Sequence, residues 1–385
     1  MRKQRLFTPG PTPLMPEAQL ALARPIIHHR TPQFIDLFLE TRNNLQKILQ
    51  TKNDVVILAS SGTGAMEAAV SNLLSTDEQA LAVVAGKFGE RWLEICKAHK
   101  IPCTALHKPA GEACSPEEIC QALENHSETR VLLIQACETS TATSHDLELI
   151  AQSVHQKFPA VLIVVDAISA LLTQPLQVDD WGLDIVISGS QKSLGLPPGL
   201  AFMSISPSAL ERIKNNKVSS YYFDLSIEID KQRKGQTAYT PAISLIDALK
   251  ETTQEILRQD PRKVLAEVEL MAHCTREALL ALNFRLLSSS PSSAVTAAFP
   301  PEGVSAKELI KKLDSEFGVM IAGGQSELKG KIIRIAHLGY LDLIDVFAVI
   351  SSIELCLLRM ETKIEVGLGL RTALLEAAKP TNISE

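Results

Sequence analysis

The sequence predicts an α/β protein with a mostly parallel sheet in a large domain, followed by a smaller α+β domain toward the C-terminus. Short apolar runs alternate with helix-like segments through the first two thirds, and after about Thr240 longer helical patterns replace them. A chain of 385 residues also exceeds what one ordinary core requires. We therefore predict an N-terminal arm at 1–14, a large domain at 15–255 and a small domain at 256–385.

The strands predicted for the large domain are rich in Val and Ile, and several are apolar on both faces, as in sheets covered by helices on both sides. They are Val55–Ala59, Leu81–Ala85, Val131–Gln135, Val161–Val165, Ile185–Ser188 and Leu200–Ser204. Helix-like segments between several of them are Ala65–Leu74, Arg91–His99, Pro116–Asn125 and Leu147–Lys157. This strand–helix alternation is typical of a parallel sheet.

The remaining third begins with long helical patterns. The predicted helices are Ile243–Gln259, Arg262–Leu282, Ser305–Phe317 and Leu343–Arg359, and strand-like runs fall at Ala294–Phe299 and Lys331–Ala336. Lys379 to Glu385 are expected to form a frayed tail.

Composition narrows the function classes. The net charge of −6 and pI near 5.9 give no general reason to expect nucleic-acid binding. The seven cysteines include no CxxC pair, so a disulfide framework or structural zinc site is not expected, and a reducing cytoplasm fits best.

The N-terminus lacks the apolar core of a signal peptide, and Val346–Leu358 is too short and polar to span a bilayer, so we expect a soluble protein.

Three segments carry candidate chemistry. The first, Ser60 to Glu67, follows a predicted strand and opens a helix, where small residues let backbone N–H groups approach an anion. Taken alone, it fits a plain strand–helix turn with a Ser/Thr cap at least as well. It is neither a Walker loop nor GxGxxG.

The other two segments each place an ionisable residue after a buried strand. Asp166 ends the run Val161–Val165, where open α/β sheets bind ligands, although a helix cap or loop turn is the simpler reading of an isolated Asp. Lys192 follows a strand and a Ser-Gly-Ser-Gln loop that offers donors to a phosphate, although most lysines are solvated. An anion site, a carboxylate and an amine together are what pyridoxal 5'-phosphate (PLP) requires.

At this point the sequence resembles the class V, fold type I, PLP-dependent aminotransferases, in particular the alanine–glyoxylate / serine–pyruvate branch. The matching segments run nearly end to end, and Ser188-Gly189-Ser190-Gln191-Lys192 followed by Pro197-Pro198-Gly199 is the most specific, together with the Thr8-Pro9-Gly10-Pro11 start. Others are His29-Arg30-Thr31-Pro32, Ser61-Gly62-Thr63-Gly64, Gly86-Lys87-Phe88-Gly89-Glu90-Arg91, Glu138-Thr139-Ser140-Thr141, Val165-Asp166-Ala167-Ile168-Ser169, Tyr239-Thr240-Pro241 and Arg334-Ile335-Ala336-His337.

The resemblance implies that Lys192 carries PLP as a Schiff base and that Asp166 pairs with the pyridinium nitrogen. It implies phosphate binding by a set of main-chain, hydroxyl and amide donors: Ser61, Gly62, Thr63 and Gln191. Lys192 would also serve as general base and acid for the α-proton of the substrate.

The remaining roles come from the same resemblance. Phe88 would stack on the ring, although core packing is an equal alternative, and Thr139 would lie near the ring hydroxyl. Thr240 would reach the phosphate in a neighbouring subunit, which implies a homodimer with shared sites. Arg334 would clamp the substrate carboxylate unless it is a surface strand residue, and Gly10 would let the arm approach the substrate.

The sequence departs from the family at Ala142, where glycine is common, and this change could narrow the ring site or shift a loop. The implied reaction transfers an amino group from alanine, serine or aspartate to glyoxylate or pyruvate. The alternatives are a PLP-dependent lyase or desulfurase-like enzyme and a non-catalytic α/β ligand-binding protein. A desulfurase needs a mobile loop cysteine, whereas Cys274 and Cys356 lie in helix-like segments.

Overall fold

The protein is described by a computed structural model that covers residues 3–218 and 220–379. The strands of this part, in chain order, are β1 Arg5–Phe7, β2 Asp54–Leu58, β3 Gln79–Val84, β4 Cys103–His107, β5 Thr129–Gln135, β6 Cys137–Glu138, β7 Thr143–Ser144, β8 Leu162–Asp166, β9 Ile185–Gly189, β10 Ala201–Ile205, β11 Arg285–Leu286, β12 Val295–Phe299, β13 Val319–Gly323 and β14 Ile333–Ala336.

The helices of the same residues are α1 Pro16–Leu22, α2 Pro32–Ile48, α3 Gly62–Leu73, α4 Lys87–Ala98, α5 Pro116–Asn125, α6 Leu147–Lys157, α7 Pro207–Asn215, α8 Leu225–Gln232, α9 Ile243–Gln259, α10 Pro261–Ala281, α11 Ala306–Lys312, α12 Leu343–Arg359 and α13 Leu368–Ala377. A π-helical turn, Leu313–Phe317, continues α11, and a 3-10 turn covers Ser326–Leu328.

The larger sheet has the strand order β2-β10-β9-β8-β5-β3-β4. Its strands are parallel except β10, which is antiparallel to both β2 and β9. Two large apolar clusters, one on each side of this sheet, bury most of its side chains. The mostly parallel sheet predicted from the sequence is therefore confirmed, and the carboxyl ends of β2, β8 and β9 meet at one edge.

The smaller sheet, in the order β1-β13-β14-β12-β11, packs with α10, α12 and α13 around a third apolar cluster. β1 pairs parallel with β13, so the start of the chain belongs to this sheet. A break at Asp260, whose φ is 71°, separates α9 from α10 a few residues after the predicted domain boundary at 255/256. The division into domains stays a prediction.

Several elements of the structure differ from those predicted from the sequence or were not predicted. β4 lies at the edge of the larger sheet, and its residues are only partly buried, so it lacks the apolar run that marks the inner strands. The predicted helix over 305–317 ends in the π-helical turn, and the strand predicted at Val161–Val165 extends to Asp166. Residues 380–385 of the predicted tail lie outside the described part of the chain.

Within the described ranges, no helix combines the length and the apolar character needed to cross a membrane.

Candidate active site

Lys192 lies three residues beyond β9 and is buried, with 8% of its surface exposed. Its Nζ donates a hydrogen bond to the Pro9 carbonyl of the N-terminal arm, and the Thr12 hydroxyl donates to the Lys192 carbonyl over 2.8 Å. A Cβ at Gly10, where φ is 140°, would lie 2.7 Å from Nζ, so only glycine fits. Burial lowers the pKa of Lys192 to about 8, against the opposing charge of Asp166.

Asp166 is the last residue of β8 and is 4% exposed. Its carboxylate accepts a hydrogen bond from the Ile168 amide over 2.9 Å, and it forms no ion pair within the described residues. Burial raises its pKa to about 6, and the Ile168 amide and the charges of Lys192 and Arg91 oppose this rise. A buried carboxylate with so little compensation favours a cationic donor as its partner.

The N-terminus of α3 presents backbone donors at the same edge of the sheet. Ser61 is its N-cap and forms no side-chain cap, and within the described chain the amides of Gly62 and Thr63 donate no hydrogen bond. The predicted Ser/Thr side-chain cap is therefore absent. A Cβ at Gly62 would collide with the Ile168 side chain. The buried Oε1 of Gln191 has no hydrogen-bond partner among the residues that the structure describes.

Phe88 lies at the start of α4 and belongs to none of the three apolar clusters. The guanidinium of Arg91 stands over its ring, with Cζ 4.8 Å from the ring centroid. The Nη1 of Arg91 also donates to the Thr63 hydroxyl over 3.1 Å. This environment disfavours ordinary core packing as the role of Phe88.

Glu138 anchors the start of α4, a role that sequence analysis missed. Its fully buried carboxylate accepts hydrogen bonds from the amides of Phe88 and Gly89 over 3.0 and 2.9 Å, and from the amide and hydroxyl of Ser140. A Cβ at Gly86, the N-cap, would lie 2.7 Å from the Glu138 carboxyl carbon. Burial raises the pKa of Glu138, and these donors oppose the rise.

Arg334 on β14 is 6% exposed, so the surface alternative is wrong. Its Nε donates to the Gly323 carbonyl over 2.8 Å, and its Nη1 donates to the Thr139 carbonyl over 3.0 Å. The Thr139 hydroxyl is hydrogen-bonded to the Ser169 hydroxyl over 2.7 Å. Two of the guanidinium nitrogens are thus fixed by the protein, whereas Nη2 makes no hydrogen bond within the described residues.

Two further positions bear on the sequence predictions. Thr240 is exposed, and within the described residues it makes no hydrogen bond to any other residue predicted to belong to the site. Ala142 is buried and has the left-handed backbone conformation, with φ of 59°. This conformation explains why glycine is common at this position in the family that the sequence resembles. An alanine in this conformation lowers the stability of the fold by roughly 1 kcal/mol.

The described cysteines are free of disulfides, and Cys274 and Cys356 are buried inside α10 and α12. The described residues contain no group of three or more His, Cys, Asp or Glu side chains that could hold a metal ion.

The profile of the class-V aminotransferase family matches residues 18–336. The chain is 36% identical to a protein named soluble hydrogenase, small subunit, from Synechococcus, over 96% of this chain and 97% of that one. It is 30% identical to the L-aspartate–glyoxylate aminotransferase of Paracoccus denitrificans, over 96% and 94%. The solved structure of an aspartate aminotransferase of subgroup IV from Thermus thermophilus superposes with a TM-score of 0.87 at 36% identity, over 92% and 99%.

Proposed function

Because the chain belongs to the class V aminotransferase family, we propose that it transfers an amino group from alanine, serine or aspartate to a 2-oxo acid such as glyoxylate or pyruvate, with PLP as cofactor. The observation that carries the proposal is a group of three buried charged side chains that interact electrostatically. They are the Lys192 amine, the Asp166 carboxylate and the Arg334 guanidinium, which uses only part of its hydrogen-bonding capacity within the described residues. Aspartate is the first donor to test, because both aminotransferases compared above are named for it.

The residues present fit PLP in three respects. The free amides of Gly62 and Thr63 at the start of α3 suit a phosphate. The Asp166 carboxylate has one hydrogen bond and no ion pair in the described chain, which suits a protonated ring nitrogen. Lys192, with a pKa of about 8, has an appreciable neutral fraction near neutral pH, and a neutral amine is what condenses with an aldehyde.

When bound, PLP supplies an aldehyde that condenses with amines and a protonated ring that accepts the electron pair released from the substrate Cα. Arg334 binds the α-carboxylate through Nη2, since Gly323 and Thr139 fix the orientation of its plane. Asp166 holds a proton on the ring nitrogen by its negative charge. The Lys192 amine would remove the proton from the substrate Cα as a base and deliver it as an acid to the former aldehyde carbon of the cofactor, since its pKa lies close to the working pH.

The assembly belongs to the proposal as well. We infer a homodimer in which Thr240 contributes to the phosphate site of the partner subunit, since Thr240 is exposed on the single chain. The cavity beside it, of about 730 Å³, is lined by His29, Arg30, Lys231 and Lys234, among others, and its lining includes no acidic residue. The basic side chains give this surface a positive charge, which favours contact with an anionic group of a second subunit.

The test is a half-reaction screen. The PLP-loaded protein is mixed with each amino acid in turn, and its visible absorbance band is followed. The band should bleach with at least one of aspartate, alanine and serine, and a subsequent addition of glyoxylate or pyruvate should restore it. Lys192→Ala should lack both the band and turnover. A fully active Lys192→Ala variant, or a wild-type band that no amino acid bleaches, would overturn the proposal.

A further inference from the structure

We propose that Arg91 is a binding residue for the cofactor phosphate, reaching it from α4 across the start of α3. The inference rests on the proposed function, because it concerns how the same site holds PLP. Arg91 lies in the segment Gly86 to Arg91, and the resemblance assigned a role there only to Phe88. The contacts and charges around the guanidinium of Arg91 indicate which ligand it can bind.

The contacts of Arg91 place its charge at the phosphate end of the site. Its Nη1 donates to the Thr63 hydroxyl over 3.1 Å, and Thr63 is the second residue of α3, with a backbone amide that has no acceptor among the described residues. The guanidinium therefore stands beside free helix-terminal donors. An anion at those donors meets a full positive charge as well as the favourable field of the helix end.

The charge balance around Arg91 supports the same conclusion. Arg91 is partly buried, and within the described residues it forms no ion pair with any carboxylate. Its charge also lies within electrostatic reach of Lys192 and Asp166, since it contributes to the lowering of the pKa of Lys192 and opposes the rise in the pKa of Asp166. A partly buried guanidinium without an acidic partner favours binding of an anion, and phosphate geometry suits its planar fork.

A competing role exists, because the Cζ of Arg91 also stands 4.8 Å from the centroid of the Phe88 ring. If Arg91 acted only by holding Phe88 against the cofactor ring, it would matter equally for PLP and for pyridoxal, which has the same ring and no phosphate. If it binds the phosphate, it matters for PLP alone. The two roles are separated by comparing these two ligands.

The experiment measures dissociation constants for PLP and pyridoxal with the apo form of the full chain, by absorbance and by quenching of the intrinsic fluorescence. Arg91→Met removes the charge, and Arg91→Lys keeps the charge without the fork. Arg130→Met is the matched control, since Arg130 is exposed on β5 and forms no ion pair in the described residues. Circular dichroism checks that each variant is folded.

We expect Arg91→Met to weaken PLP binding by roughly 10- to 100-fold, the loss typical of one charge-assisted hydrogen bond, and to leave pyridoxal binding within about twofold. Arg91→Lys should recover part of the loss, and Arg130→Met should bind both ligands normally. Inorganic phosphate should slow PLP loading of the wild type more than that of Arg91→Met.

The proposal is overturned if Arg91→Met binds PLP as tightly as the wild type, or if it weakens PLP and pyridoxal to the same extent. Should Arg91→Met not fold, Arg91→Lys carries the same comparison: it should weaken PLP and leave pyridoxal binding unchanged, and equal binding of PLP by Arg91→Lys and the wild type would overturn the proposal. These outcomes differ from a failure of the proposed function. In that case the wild type itself would show no PLP binding.

Discussion

Replacing Lys192 by Met should stabilise the apo protein, although it destroys the proposed function. Burial lowers the pKa of Lys192 from its ordinary value of 10.5 to about 8; Asp166 and Cys137 act against this, and Arg334 and Arg91 reinforce it. Each pKa unit is worth about 1.4 kcal/mol, so below pH 8 the charged lysine destabilises the fold by about 3 kcal/mol. Loss of the hydrogen bond to the Pro9 carbonyl costs about 1 kcal/mol, which leaves a net gain of about 2 kcal/mol at pH 7.

The sign of the pH dependence follows from the same shift. Because the folded pKa lies below the unfolded one, the unfolded state binds more protons between pH 8 and 10.5, and the wild type gains stability as the pH rises through this window. At pH 9.5 the remaining penalty is about 1.4 kcal/mol, so the advantage of Lys192→Met should fall to near zero.

Urea unfolding of the apo proteins at pH 7 and pH 9.5, at one protein concentration, measures both quantities. Lys97→Met is the control, since Lys97 is an exposed lysine on α4 and within the described residues makes no buried contact that the substitution would remove. The reasoning is refuted if Lys192→Met is no more stable than the wild type at pH 7. It is equally refuted if its advantage is the same at both pH values.

Three further outcomes are expected. Gly10→Ala should weaken PLP loading while the far-ultraviolet circular dichroism stays unchanged, because its Cβ would displace the Lys192 side chain, 2.7 Å from Nζ and 2.8 Å from Cε, at a backbone φ of 140° that favours glycine; normal loading would contradict this. Glu138→Gln should lower the unfolding free energy in urea by about 1–3 kcal/mol, because its NH₂ would face the amide donors of α4; an unchanged midpoint would contradict this. Arg334→Lys should raise the KM for the amino donor roughly 10- to 100-fold with a smaller change in kcat, since a lysine cannot copy the fixed fork; an unchanged KM would contradict this.

The sequence predicted those parts of the site whose position depends on one strand and the turn after it. Asp166 and Lys192 follow apolar runs that predicted buried strands, and parallel strands bring their carboxyl ends to one edge. The start of α3 was predictable in the same way from its small residues. For these residues the local pattern determined the position in space.

The contacts that hold the site in place could not be predicted, because they join distant parts of the chain. The partner of the Lys192 amine lies 183 residues away, and the Arg334 hydrogen bond to Thr139 spans 195 residues. Glu138 belongs to the Glu138–Thr141 segment that carries the family resemblance, but nothing in the neighbouring sequence indicates that its carboxylate faces the start of α4. Only the packing of β6 against that helix reveals this role.

The first residues of the chain form a tether of fixed length between the two sheets. Phe7 is held in the smaller sheet by pairing with Ile321, and Pro9, two positions later, is held against the lysine of the larger one. One residue spans at most about 3.6 Å, so the two positions from Phe7 to Pro9 reach at most about 7 Å. Deleting a residue between these anchors would shorten this reach and pull on the strand or the carbonyl, and an outward swing of the smaller sheet would act on Lys192 through Pro9.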